Sequence, residues 1–178
     1  MLKNIYIVRH GKTEWNKLGK MQGFTNIPLC QDGINSAISL RDSIKDIKFE
    51  ICYSSPLDRA LETAKIICGN NIPIITDNRL IERGLGEYEG DLIDDTIIFN
   101  AWSNNLDWSM KGVESSRSVF NRTKEFLNDI KNNSYKNILI VSHAATIKCI
   151  HYNINGFDEN TNLLSFFPEN TTVYQYKI

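Results

Sequence analysis

The sequence predicts an α/β fold: a three-layer α/β/α sandwich with a mostly parallel central sheet and one antiparallel edge strand. Short, nearly continuous apolar runs recur along the chain, as in strands buried on both faces. Segments of helical period separate them, and strands alternating with helices imply a parallel sheet covered on both sides. The 178 residues, 42% hydrophobic and 23% charged, suit one folded domain and rule out disorder as the main state. That domain is read as residues 1–178, with a lid-like insertion around 84–113.

Asn4 to Val8 is the first strand, β-branched and aromatic, and it ends at Arg9-His10-Gly11. From Asp32, taken as the cap, Ile34, Ala37, Ile38, Arg41 and Ile44 fall at helical spacing. Ile51 to Tyr53 is the second strand. Ser55 as cap, Pro56 as first helical residue and Asp58 completing a capping box then predict a helix whose inner face is Leu57, Leu61, Ala64, Ile67 and Cys68. Gly69 stops that helix, and Ile72 to Thr76 reads as a third strand. Arg79 to Lys111 reads as loop with one helix between Asp95 and Asn105. From Ser115 or Ser116 a strong helix carries Val119, Phe120, Thr123, Phe126, Leu127 and Ile130. Asn137 to Ser142 is the fourth strand, Thr146 to Asn153 the following helix, and Thr171 to Ile178 the last strand.

Composition closes off several functions. A net charge of −1 offers no bulk positive field for nucleic acid or anionic lipid, so any anion site is local. The longest apolar runs are far too short for a spanning helix. The opening Met1 to Asn4 leads into a strand without the apolar stretch of a secretory signal, which predicts a cytoplasmic protein. Cys30, Cys52, Cys68 and Cys149 lie far apart and predict reduced thiols, not a zinc cluster. The three histidines lack metal-binding spacings, and no metal and no cofactor is expected.

In a sheet of this kind ligands bind beyond the carboxyl ends of the strands. Arg9 and His10 follow the first strand, Arg59 the second, and His143 the fourth, so all four converge on one rim. Two arginines and two histidines near helix N-termini make an anion site, and phosphate is its natural guest. Gly11 allows backbone to approach the ligand closely. A lone histidine after a strand is more often a turn residue, but the Arg9-His10 pairing favours the site.

The segment Arg9-His10-Gly11-Lys12-Thr13-Glu14-Trp15-Asn16 resembles the signature of the histidine phosphatase, or phosphoglycerate-mutase-like, superfamily. Gln22-Gly23, Pro28-Leu29 with Gly33, and Ser54 through Ala64 resemble its next blocks. Leu80-Ile81-Glu82-Arg83 with Gly86 and Glu89-Gly90, then Gly112 with Glu114-Ser115 and Arg122, and Val141-Ser142-His143 resemble the rest. The resemblance spans residues 5 to 148.

It implies a phosphoryl-transfer site in which His10 is the nucleophile and becomes phosphohistidine. Neutral imidazole attacks phosphorus, and arginines nearby favour the unprotonated ring. By the same resemblance Arg9, Arg59 and His143 hold the non-bridging oxygens, while Glu82 protonates the leaving alkoxide and then activates water. On its own, Glu82 reads first as a solvated partner of Arg79 or Arg83, and only the resemblance reverses that. Asn16 donates to the phosphate, and Thr13, Gln22, Gly23 and Ala144 line the same loops, although Thr13 also suits a bond within its own turn. Trp15 and His151 are read as structural, and Glu62 as a partner of Arg59 or a neighbour. The partner implied is a small phosphorylated substrate, and a homodimer stays open.

Two departures stand out. Ala144 replaces the family's common glycine after the second histidine, and Lys148 stands where arginine is common. The same site serves phosphatases and cofactor-dependent mutases, and a mutase must bind a carboxylate beside the phosphate. Glu87, Glu89, Asp91, Asp94, Asp95 and Asp107 face a single Lys111 across 86–113, and such a lid is expected to repel a second anion. Tyr88, Phe99, Trp102 and Trp108 in it could cover a more apolar alcohol or simply pack. The reading is therefore a phosphatase, with a mutase and a non-catalytic phospho-ligand binder as the alternatives.

Overall fold

The computed structural model describes residues 2–103 and 105–178. Five strands form one sheet in the order β3-β2-β4-β1-β5: β1 is Asn4–Arg9, β2 Ile51–Ser54, β3 Ile74–Thr76, β4 Asn137–Ser142 and β5 Val173–Lys177. β1, β2, β3 and β4 run parallel, with Ile7 opposite Ile140 and Arg9 opposite Ser142. β5 is the antiparallel edge, setting Tyr176 against Ile5 and Tyr174 against Ile7.

Alternation along each strand sorts side chains into two cores. Ile5, Ile7, Ile51, Ile138 and Ile140 pack with Phe126, Leu127, Ile130, Ile147 and Ile150, which come from α5 (Ser116–Asn132) and α6 (Ala144–Asn155). On the other face Val8, Cys52, Leu139 and Val141 meet Ala60, Ala64 and Ile67 of α3 (Asp58–Cys68), with Leu40 and Ile44 from α2 (Gln31–Ser43) and its C-cap at the edge. Every position read for the long helix, Val119 through Ile130, is buried on α5, and Ser115 caps it by accepting from Ser118 N–H. A third cluster joins Trp102 and Ala101 to Val119, Phe120, Cys149 and Tyr152, anchoring α4 (Asp95–Ala101) to the α5/α6 layer. Among the described residues no helix is long and apolar enough to cross a membrane.

Several boundaries differ from the sequence reading. Asp32 is not the cap of α2. Cys30 holds that position without a side-chain bond, and Asp32 pairs with Lys17 at 3.2 Å. The buried face of α2 is Gly33 and Ala37, with Ile38 and Arg41 turned to solvent. α3 starts at Asp58 with Leu57 as cap and no capping box; the Ser55 hydroxyl accepts from Leu57 N–H at 3.3 Å and also bonds His143. β3 is shorter than read, α6 begins two residues earlier, and α4 ends at Ala101 rather than Asn105, with Asn104 outside the described residues. A short helix α1, Glu14–Lys17, was not foreseen; Thr13 and Asn16 close it with a reciprocal capping box.

Candidate active site

The rim predicted from the strand ends is built by register. Pairing of β1 with β4 brings His10 N–H onto the Ser142 carbonyl at 3.0 Å, and pairing of β4 with β2 brings Ser55 N–H onto the Val141 carbonyl at 3.0 Å. The rings of His10 and His143 therefore sit 5.0 Å apart between centroids. From the far edge, Asn170 donates to the His10 carbonyl at 2.7 Å, Thr171 N–H donates to the Arg9 carbonyl, and Arg9 Nη1 donates to Pro168 O at 2.9 Å. Gly11 is required here, since a Cβ would stand 2.6 Å from the Gly33 carbonyl oxygen.

His10 Nδ1 lies 2.7 Å from the Gly11 carbonyl, an acceptor, so that nitrogen carries the proton and the lone pair is on Nε2. Burial, with Arg9 and Arg59 close by, holds the imidazole pKa well below its usual value of 6.5. The result is a neutral ring with its free nitrogen presented to the cavity. His143 is neutral for the same reasons, burial first and then the charge of Arg59. Its Nε2 is 2.7 Å from Ser55 Oγ, and its Nδ1 is buried without a partner.

Arg59 is fully buried; its Nη1 donates to the Thr25 carbonyl and its Nη2 to the Gly23 carbonyl. Of the two partners read for Glu62, Arg59 or a neighbour, Arg59 is not one. Burial lowers its pKa to about 10, which leaves it charged at neutral pH. Its Nε, like that of Arg9, is buried and unpartnered. An arginine Nε can only donate. Two unpartnered cationic donors, Arg9 Nε and Arg59 Nε, thus lie near the neutral His10 ring, an arrangement suited to an oxyanion.

Glu82 is not a surface partner of Arg79 or Arg83. Arg79 is engaged by Asp77 and Asp129, and Arg83 Nε and Nη1 by the carbonyls of Glu114 and Ala101 with Ser116. The Glu82 carboxylate instead accepts from three backbone N–H groups, those of Arg83 at 2.9 Å, Ala145 at 3.1 Å and Thr146 at 3.4 Å. The last two belong to the open N-terminus of α6, which favours an acid. Arg122 Nη2 donates to the Glu82 carbonyl, fixing the backbone behind it.

A cavity of about 190 Å³ opens over these groups. Arg9, His10, Asn16, Gln22, Gly23, Arg59, Glu82 and Ala144 line it. Thr13 does not: it is wholly buried, its backbone N–H donates to Asn16 Oδ1 at 3.1 Å and its hydroxyl donates to Gln22 Oε1 at 3.1 Å. Its effect is to occupy the acceptor end of both amides, which leaves their NH₂ groups without protein partners among the described residues. His143, beside His10, is not among the residues that line it. Ala144 opens α6 with ordinary helical backbone, so the missing glycine costs no strain. Gly23 has φ +54, and a Cβ on it would collide with Glu89.

The lid differs from the sequence reading. None of its six acids lines the cavity. Asp91, Asp94, Asp95 and Glu87 are exposed, Asp107 pairs with Arg117, and Glu89 accepts from Thr25, Phe24 and Leu85, tying the 22–25 loop to the lid. The wall is made by Ile93, Ile97, Ile98 and Trp102, with Lys20, Arg83 and Lys148 as further cations. The spacing of Ile97, Ile98 and Ala101 is the signal that would have shown which face of α4 turns inward.

The sequence pattern of the histidine phosphatase superfamily (branch 1) matches residues 5–178. Phosphoserine phosphatase 1 of Hydrogenobacter thermophilus is 29% identical over 86% of this chain and 77% of its own. Phosphoglycerate mutase-like protein 4 of Arabidopsis thaliana is 32% identical over 83% of this chain and 69% of its own. The phosphoserine phosphatase of Entamoeba histolytica, solved with 3-phosphoglyceric acid, superposes with a TM-score of 0.83 at 32% identity, covering 97% of this chain and 89% of that one. With two strand-end histidines and their arginines gathered on one rim, the chain belongs to the histidine phosphatase superfamily.

Proposed function

We propose that this histidine phosphatase hydrolyses a small phosphorylated metabolite through a phosphohistidine on His10. What supports this most directly is the pairing of a neutral, outward-facing Nε2 on His10 with the buried, unpartnered Arg9 Nε, Arg59 Nε and His143 Nδ1. In the first half-reaction Nε2 attacks phosphorus, the ester P–O bond breaks, and the departing alkoxide takes a proton from Glu82. In the second, Glu82 takes a proton from water as its oxygen attacks the phosphohistidine, releasing inorganic phosphate and restoring His10. Arg9 and Arg59 hold the non-bridging oxygens throughout, and Asn16 and Gln22 offer amide donors from the loop side.

The cavity is sized for a metabolite rather than a protein segment. Four free, buried cysteines and the near-neutral charge fit a cytoplasmic setting. The test is phosphate release from p-nitrophenyl phosphate, phosphoserine, 3-phosphoglycerate, sugar phosphates and α-ribazole phosphate, run beside a coupled 3- to 2-phosphoglycerate assay. Hydrolysis that vanishes in His10→Ala, without isomerisation, is the expected result. Efficient isomerisation would make the protein a mutase, and tight substrate binding by wild type with no turnover would make it a binding protein.

A further inference from the structure

The chemistry above leaves two buried charges on the cavity wall unused, Lys148 and Arg83. Lys148, in the second turn of α6, is 3% exposed and lines the cavity. Among the described residues its Nζ makes no hydrogen bond and no ion pair; it faces the Trp102 indole, 4.5 Å from the ring centroid. Burial drags its pKa down to about 8, so it keeps its charge at neutral pH at a solvation cost that a cation–π contact only partly offsets. Beside it Arg83, 2% exposed and on the same cavity wall, has a buried Nη2 with no acceptor.

Among the described residues Glu82 is the one carboxylate on the wall, and three N–H groups already occupy it. The transferred phosphoryl group is served by Arg9 and Arg59, on the His10 side. A single phosphate therefore leaves Lys148 and Arg83 without anions, and the lid's acids all stand outside. A buried ammonium with no acceptor, and beside it the one Arg83 nitrogen that its bonds to Glu114, Ala101 and Ser116 leave over, suit an anion that arrives with the ligand.

We propose that Lys148, with Arg83 beside it, is the specificity-determining anchor for a carboxylate on the leaving alcohol, so that the enzyme selects phosphate esters of small hydroxy acids over those of neutral or cationic alcohols. The proposal rests on the phosphatase reading and goes against the repulsion that the acid count of the lid alone suggests. Ile93, Ile97 and Ile98 complete the wall as apolar surface that excludes water and strengthens the contact.

The test compares two esters that differ by one carboxylate, O-phosphoserine and O-phosphoethanolamine, on wild type, Lys148→Met and Lys148→Arg. Wild type should favour phosphoserine in kcat/KM by about tenfold or more, the scale of one charged hydrogen bond. Lys148→Met should bring that ratio near unity through KM for phosphoserine, and Lys148→Arg should restore most of it. A wild-type ratio near unity overturns the proposal whether or not the variants fold, as does a ratio that survives in Lys148→Met. A Lys148-dependent preference for a bisphosphate over phosphoserine overturns the carboxylate assignment. Absence of hydrolysis of either ester and of p-nitrophenyl phosphate by wild type sinks the phosphatase reading instead.

Discussion

Glu82→Gln separates the two jobs given to this side chain. The amide keeps an oxygen where Oε1 now accepts from Arg83, Ala145 and Thr146, so all three donors retain an acceptor. Charge-assisted bonds are roughly twice as strong as neutral ones, so the change costs about 1 kcal/mol of stability and leaves the fold intact. What disappears is the proton. Loss of a general acid is worth about 10²- to 10⁴-fold, or about 3 to 5 kcal/mol at 1.36 kcal/mol per tenfold, on kcat for phosphoserine. p-Nitrophenolate leaves without a proton, so with that ester the first step survives and the water step stalls. Rapid mixing should show a burst of one nitrophenolate per active site followed by a slow phase, and a quenched sample should carry acid-labile phosphate on His10. Wild-type turnover of phosphoserine by Glu82→Gln would refute the assigned role; a large kcat loss without any burst would refute its part in the second half-reaction alone.

Stability should fall on acidification through the two histidines. Unfolded, each takes up a proton near pH 6.5, whereas folded His10 and His143 refuse it until well below that. Their neutral burial is thus fully tolerated above about pH 6.5 and opposes folding below it, with a limiting slope of about 2.7 kcal/mol per pH unit for the pair. The urea midpoint should drop between pH 7 and pH 5, and saturating phosphate should lessen the drop by favouring charged rings; a flat midpoint contradicts the neutral assignment. Ser55→Ala removes the partner of His143 Nε2 inside a fully buried pair, so it should cost about 1 to 3 kcal/mol in denaturant melts and lower kcat more than it raises KM. Among the described residues no group of three or more His, Cys, Asp or Glu side chains is placed to hold a metal. Covalent catalysis by a histidine needs no metal, so activity should persist in EDTA, and loss that divalent metal restores would be incompatible with covalent catalysis by His10 alone.

The scaffold was largely legible because its signals are local. The spacing of Val119, Phe120, Thr123, Phe126, Leu127 and Ile130 settles α5, and the uninterrupted apolar run of β4 settles a strand buried on both faces. The positions of Arg9, His10, Arg59 and His143 followed from the topology. Misreadings came where one residue has two suitors. Ser55 has the features of a helix cap and does accept from Leu57 N–H, yet the helix starts later and the same hydroxyl bonds His143, 88 residues away in sequence. Asp32 similarly gives up a cap for Lys17. The lid was misjudged because charge was counted without direction. In the seven-residue α4 the acids Asp94 and Asp95 cap and face water while Ile97 and Ile98 turn inward, and so short a helix leaves little periodicity to read. Lys148 looked like a conservative change and proved to be a buried charge, because burial depends on α4 and Trp102 closing over α6.

The bonds that run from Pro168, Asn170 and Thr171 to Arg9 and His10 impose an order of events. The His10 carbonyl and the side chain of its neighbour Arg9 are held by residues made some 160 positions later. Closing a contact of that separation comes after the local helices have formed. A nascent chain can therefore hold most of its sheet and both core layers while its His10 loop is still untethered. Phosphatase activity should appear abruptly, only after Thr171 has been added and β5 has docked against β1.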